Sequence, residues 1–131
     1  MKKISILILT ALILASCHVK FVPGKSQHQI DLVQHIQDEA NTVFTNSDLS
    51  FATNEPALIQ INTDIDSLLS YDQLRKKKII VNQDLQIQSV FNSDANAWQT
   101  KGSISPGIAN SYKIYFKSII DPRIVSENSL K

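Results

Sequence analysis

Apolar residues recur along this chain at spacings of three and four, the period of a helix with one buried face. Ile30, Val33, Ile36, Ala40, Val43 and Phe44 form a first stripe, and Leu58, Ile61, Ile65, Leu68 and Leu69 a second. Leu85, Ile87, Val90, Phe91, Ala95 and Trp98 form a third, and Ile108, Tyr112, Tyr115, Phe116 and Ile119 a fourth. Ser26, with Gln29 three residues on, has the form of a capping box for the first helix. "TNSDLS", Thr45 to Ser50, ends that helix with residues that prefer turns. Asn54 is placed to cap the second helix, with Pro56 in its first turn. Ile79-Ile80-Val81 reads equally as a short strand or a buried helical turn, and Asn82 is a candidate cap for the third helix. Residues 55–100 are therefore either two helices or one kinked helix of about 45 residues, far beyond the usual ~11–12. A break between Lys76 and Asn82 is the expectation. In "KGSISPG", Ser105 caps and Pro106 opens the last helix, which Pro122 ends or kinks. Three glycines in the whole chain argue against a turn-rich β fold. The pattern predicts an all-α fold, an up-and-down bundle of three to four helices over residues 26–131.

The stretch ahead of the bundle has another character. Lys2 and Lys3 precede an apolar run from Ile4 to Leu14, followed by the small residues Ala15 and Ser16. That order is a secretory signal, and the run is well short of the ~20 residues that span a bilayer. "LASC", Leu14-Ala15-Ser16-Cys17, resembles the lipobox of bacterial lipoproteins. The resemblance covers the first 17 residues and does not extend to the helices. It implies a signal peptide over residues 1–16, cleaved before Cys17, a diacylglyceryl thioether on Cys17, and acylation of the new amino group. Residues 17–25 then form the lipidated cysteine and a tether containing Pro23 and Gly24. His18 stands where an aspartate, in enterobacterial lipoproteins, signals retention at the inner membrane. Its presence leans the expectation toward the outer membrane of a diderm host.

Composition narrows the class further. The chain carries 13 basic and 12 acidic residues, so overall charge names no partner. Cys17 is the only cysteine, so once it is lipidated no disulfide or cysteine metal site remains, and the fold rests on its apolar core. The charge is unevenly placed. From Ser26 to Leu74 there is no lysine or arginine, and from Arg75 onward basic residues prevail. Two oppositely charged halves either pair within the fold or give a dipolar surface over a membrane; pairing within the fold is the expectation.

Candidate chemistry is sparse. His28, Asp31, His35 and Glu39 follow one another at helical spacings, and His35 with Glu39 is a candidate pair of metal ligands one turn apart. The plainer reading is a solvated polar face, because a catalytic zinc site takes three protein ligands. Asp64 and Asp66 begin like a calcium loop but lack its glycine and closing glutamate. No phosphate-binding glycine loop and no nucleophile elbow is present. Arg75, Lys76, Lys77 and Lys78 form a candidate contact for an anionic surface such as phospholipid headgroups; nucleic acid is not an expected partner of an exported chain. Trp98, Tyr112, Tyr115 and Phe116 read as core rather than as a ligand pocket. The expectation is a non-catalytic envelope lipoprotein, with no cofactor and no catalytic residues, whose partners are the membrane and another envelope component. The alternative is a small carrier that holds a lipid, haem or metal within the bundle.

Overall fold

The computed structural model describes residues 24–131; the signal segment 1–16, Cys17 and the tether as far as Pro23 lie outside the described residues. Four helices follow in order: α1 (Gln27–Phe44), α2 (Phe51–Arg75), α3 (Lys78–Lys101) and α4 (Pro106–Asn128). Each packs against its neighbours in sequence, and α1 also packs against α4, which closes a four-sided ring. This is the up-and-down bundle that the four stripes predict. Val33, Ile36, Ala40, Ile61, Ile65, Leu68, Ile87, Phe91, Trp98, Phe116 and Ile120 line its axis and are buried. Each large apolar side chain removed from water contributes roughly 1.5–3 kcal/mol before entropy is counted.

The helix starts follow local chemistry, with departures that have identifiable causes. Ser26 caps α1 through its side-chain oxygen, which accepts from the Gln29 N–H at 3.4 Å. The reciprocal half of the expected box is supplied elsewhere: the Ser26 N–H donates to Glu127 Oε1 at 2.8 Å, and Gln29 is buried. Helix α2 begins at Phe51, three residues before the expected cap. Asn54 is buried inside it and ties the preceding loop instead, donating to the carbonyls of Asp48 and Ser50 at 2.7 and 2.8 Å. Ser50 stands at the N-cap with no side-chain bond to the helix, and Asp48 braces the loop ahead of it, accepting from the Ser50 N–H at 2.9 Å and the Thr53 hydroxyl at 2.8 Å. Those bonds, the backbone one first, hold its carboxyl below the usual range.

The break between α2 and α3 falls at Lys76 and Lys77, inside the expected window, and Ile79-Ile80-Val81 is helical. Ser105 and Pro106 open α4 as expected. Pro122 does not end α4, which runs on to Asn128. Its missing N–H frees one carbonyl on the exposed side, while Arg123 and Glu127, one and five residues later, are buried and hold the last turns inward.

Both ends of the bundle are tied. At the end formed by the α1–α2 and α3–α4 loops, Ser50 and Ser103 make a single antiparallel bridge. Phe51 N–H donates to the Gly102 carbonyl at 2.7 Å, and the Trp98 indole N–H donates to the Leu49 carbonyl at 2.8 Å. Gly102 closes α3 at φ +71, a conformation open to glycine and strained for other residues. The opposite end gathers the start of α1, the α2–α3 turn and the end of α4.

Candidate functional site

At that second end the helical stripes change chemistry without changing period. In α2, Ile61, Ile65 and Leu68 are continued by Asp72 and Arg75; in α4, Phe116 and Ile120 are continued by Arg123 and Glu127; in α3, Asp84 stands between Ile80 and Ile87. All five charged residues are buried, with Arg75 the most exposed at 4%. Arg123 lies at the centre. Its Nη2 donates to Asp72 Oδ2 at 2.5 Å, its Nε to Asp84 Oδ1 at 2.6 Å and its Nη1 to Glu127 Oε2 at 3.0 Å. Arg75 donates from Nη1 to Asp72 Oδ1 at 2.7 Å and to Glu127 Oε2 at 2.9 Å, and from Nη2 to Glu127 Oε1 at 2.8 Å. The network thereby crosses between α2 and α4, whose backbones do not approach each other.

Protonation brings the cluster close to balance. Burial pushes the Asp84 carboxyl up to about 8; Arg123 opposes the rise and the adjoining Asp72 carboxylate adds to it. Asp84 therefore keeps its proton at neutral pH, and two guanidinium groups face Asp72 and Glu127. Asp84 Oδ2 is buried without a donor, which suits a protonated oxygen that itself donates toward Asp72. Burial alone would raise Glu127, but hydrogen bonds from Arg75 and Ser26 and the charges of both arginines hold it below the usual range. Arg75 is raised through its bonds to Glu127.

The network also grips the start of the described chain. Arg75 Nη2 donates to the Gly24 carbonyl at 2.6 Å, and Ser26 is held by Glu127 as described above. A Cβ on Gly24 would meet the Lys131 carbonyl oxygen at 3.3 Å, so Gly24 and Lys131 lie side by side. With its charged groups closed off from water, this cluster holds the start of the described chain, at Gly24 and Ser26, against the bundle.

Among the sequence candidates, Arg75 separates from its neighbours. It is not part of an exposed basic run, because it lies on the buried stripe and is consumed by Asp72 and Glu127. Lys76 and Lys78 are exposed and Lys77 is half-buried. Leu74 and Ile79, flanking them, are 78% and 72% exposed. Lys76 to Ile80, with Ser126, Ser129 and Leu130 of the chain end, line a shallow groove of about 390 Å³. Lys76 adopts φ 56, a left-handed position where a helix more commonly places glycine.

His35 and Glu39 do meet, Nε2 to Oε1 at 3.3 Å, and His35 also reaches Asp64 Oδ2 of α2 at 3.8 Å. His28 is exposed, and Asp31 accepts from Gln27 at 2.8 Å. Asp66 turns to α3 and accepts from Gln88 at 2.6 Å, so Asp64 and Asp66 serve different neighbours. Phe44 stacks on Trp98 with centroids 6.2 Å apart and meets Tyr112 edge-on at 5.9 Å. Phe91 meets Phe116 at 5.8 Å. Trp98 and Phe116 are core, Tyr112 is half-buried and Tyr115 is exposed. Burial pushes Asp94, on the same face of α3, up to about 6.

No family model, curated protein or solved structure matches this chain.

Proposed function

We propose that the protein is a bacterial envelope lipoprotein, anchored through lipidated Cys17, whose bundle has a non-catalytic interaction or structural role at an anionic membrane surface. The observation that carries this reading is the path of the chain. Six residues lie between Cys17 and Gly24, and the seven steps from one to the other reach at most about 25 Å when extended. Gly24 is bonded to Arg75, the residue next to Lys76. An anchor on Cys17 therefore holds the α2–α3 turn at the membrane.

That turn carries the chemistry of a headgroup contact. Lys76, Lys77 and Lys78 supply positive charge, each worth about 1 kcal/mol near an anionic surface. Leu74 and Ile79 project apolar surface beside them. Lysine at the left-handed Lys76 position keeps a charge where glycine would relieve backbone strain. The buried arginines and their acids fix the orientation of this end against the tether.

Two arms of one experiment test the reading. In cell fractionation, wild-type protein is expected in the membrane pellet and Cys17→Ser in the soluble fraction. With the Cys17→Ser form, binding to phosphatidylglycerol-containing vesicles is expected to fall when Lys76, Lys77 and Lys78 are all changed to Gln, by about 3 kcal/mol at low salt and by less as salt rises. Equal pelleting of wild type and Cys17→Ser contradicts the anchor. Vesicle binding unaffected by the triple change contradicts the orientation.

A further inference from the structure

We infer that His35, Glu39 and Asp64 form a binding site for a divalent transition-metal ion of the zinc type, which staples α1 to α2. The inference is independent of the anchor, since the three residues lie on the helix walls, away from the tether end.

The geometry is that of a ligand set drawn from two helices. His35 and Glu39 are one turn apart on α1, and Asp64 faces them from α2. One ligand atom from each of the three lies within 4.8 Å of the other two. Zinc bonds to nitrogen and oxygen are about 2.0–2.2 Å, so the edges of a zinc tetrahedron measure roughly 3.3–3.6 Å. The His35–Glu39 separation of 3.3 Å is already such an edge, and the His35–Asp64 separation of 3.8 Å needs only a small side-chain adjustment. The fourth position opens to solvent and a water molecule, because the His35 side chain is 57% exposed.

Three further observations point to a cation. Glu39 Oε2 is buried and has no hydrogen-bond donor, so half of this carboxylate lacks the positive partner that burial requires. From Ser26 to Leu74 there is no lysine or arginine, so neither helix offers a competing cation along this stretch. Gln60, one turn before Asp64, donates to Asp64 Oδ1 at 3.0 Å and leaves Oδ2 aimed at His35, the kind of outer contact that orients a metal-bound carboxylate. A mixed nitrogen and oxygen donor set suits zinc and its first-row neighbours better than magnesium or calcium, which prefer oxygen alone.

The test is a titration of the full, untagged chain as purified in neutral detergent, stripped of metal and then given zinc ions against a chromophoric competitor. One zinc ion per chain is expected, displaced by neither magnesium nor calcium in excess. His35→Ala and Asp64→Asn are each expected to weaken binding by at least about tenfold, while His28→Ala leaves it unchanged. Affinity is expected to fall as pH is lowered, since a metal ion must displace protons from its ligands. Circular dichroism confirms that each variant is helical, and Glu39→Gln serves as a further ligand change if one does not fold. No binding, or binding that is indifferent to the ligand changes, or binding equally weakened by His28→Ala, overturns the site.

Discussion

Arg123→Met measures how much the fold depends on the buried charges. The substitution keeps an unbranched side chain of comparable length and removes one guanidinium from a position with 0% exposure. Two hydrogen-bonded ion pairs, to Asp72 and Glu127, are lost at once together with the hydrogen bond to Asp84. Arg75 still reaches Asp72 and Glu127, but one guanidinium now faces two carboxylates. Asp84, already protonated, gives no relief. Removing one partner from a buried ionic cluster typically costs about 3–5 kcal/mol, because the remaining charge stays in low dielectric. For a bundle of this size each kcal/mol lowers Tm by roughly 4 °C, so a fall of about 12–20 °C is expected. Urea unfolding followed by circular dichroism at 222 nm gives the free energy, and calorimetry gives Tm. A loss below about 1 kcal/mol, the scale of an exposed pair, would refute the view that these contacts exist in a water-free interior.

Three other outcomes follow from the same structure. Asp84 has a folded pKa of about 8 against 3.8 unfolded, so the native state holds the extra proton between those values. Stability is therefore greatest below pH 4 as far as this group is concerned, and is lost as pH rises toward 8, with a slope of at most about 1.4 kcal/mol per unit for one proton. Asp84→Asn should flatten urea midpoints between pH 6 and 8, and unchanged pH dependence in that variant would oppose the assignment. Asp94, raised to about 6 by burial, acts with the same sign from about pH 4 to 6, so Asp94→Asn should reduce the slope in that lower range to the part that Asp84 supplies. Lys76→Gly should raise stability by about 0.5–1 kcal/mol in chemical denaturation by relieving the left-handed residue; a loss would mean that the Lys76 side chain makes contacts worth more than the strain.

The bundle was legible in the sequence because all four apolar stripes keep a helical period over several turns. Caps at Ser26 and Ser105 were legible for the same local reason, a hydroxyl just ahead of a periodic run. Asn54 misled because a capping residue type also serves as a buried loop tie, and the loop contact that decides between the two is not local. Pro122 does not end the helix because the turns beyond it are held by long-range bonds from Arg123 to Asp72 and Asp84 and from Arg75 to Glu127 rather than by propensity. The charged network itself left a readable sign. Asp72, Arg75, Asp84, Arg123 and Glu127 all fall on the positions that their apolar stripes would occupy next, and a charge at such a position is either an error of phase or a buried partner. Arg75 was hidden by three lysines directly after it, which made a buried anchor look like the first letter of an exposed run. Asp64 as the third member of the His35 and Glu39 group was not legible, because it depends on how α1 and α2 are rotated against each other.

The expected pairing of acidic and basic halves takes a specific form: Asp72, last of the acidic run, meets Arg75 and Arg123 in the interior. The lysines beyond Arg75 are left to face outward, beside the tether. A single structural division, guanidinium groups inside and ammonium groups outside, thus separates what holds the bundle's end from what that end presents. Arginine suits the interior through its planar, multiply donating head, and lysine suits the outside as a hydrated point charge.

The intact mass of the protein, taken from membranes of the cells that produce it, tests the proposed lipid anchor most directly. A chain starting at Cys17, heavier than its sequence by a diacylglyceryl group with or without a further acyl chain, is the predicted result. A Cys17 thiol carrying no lipid, or a chain that retains residues 1–16, contradicts it.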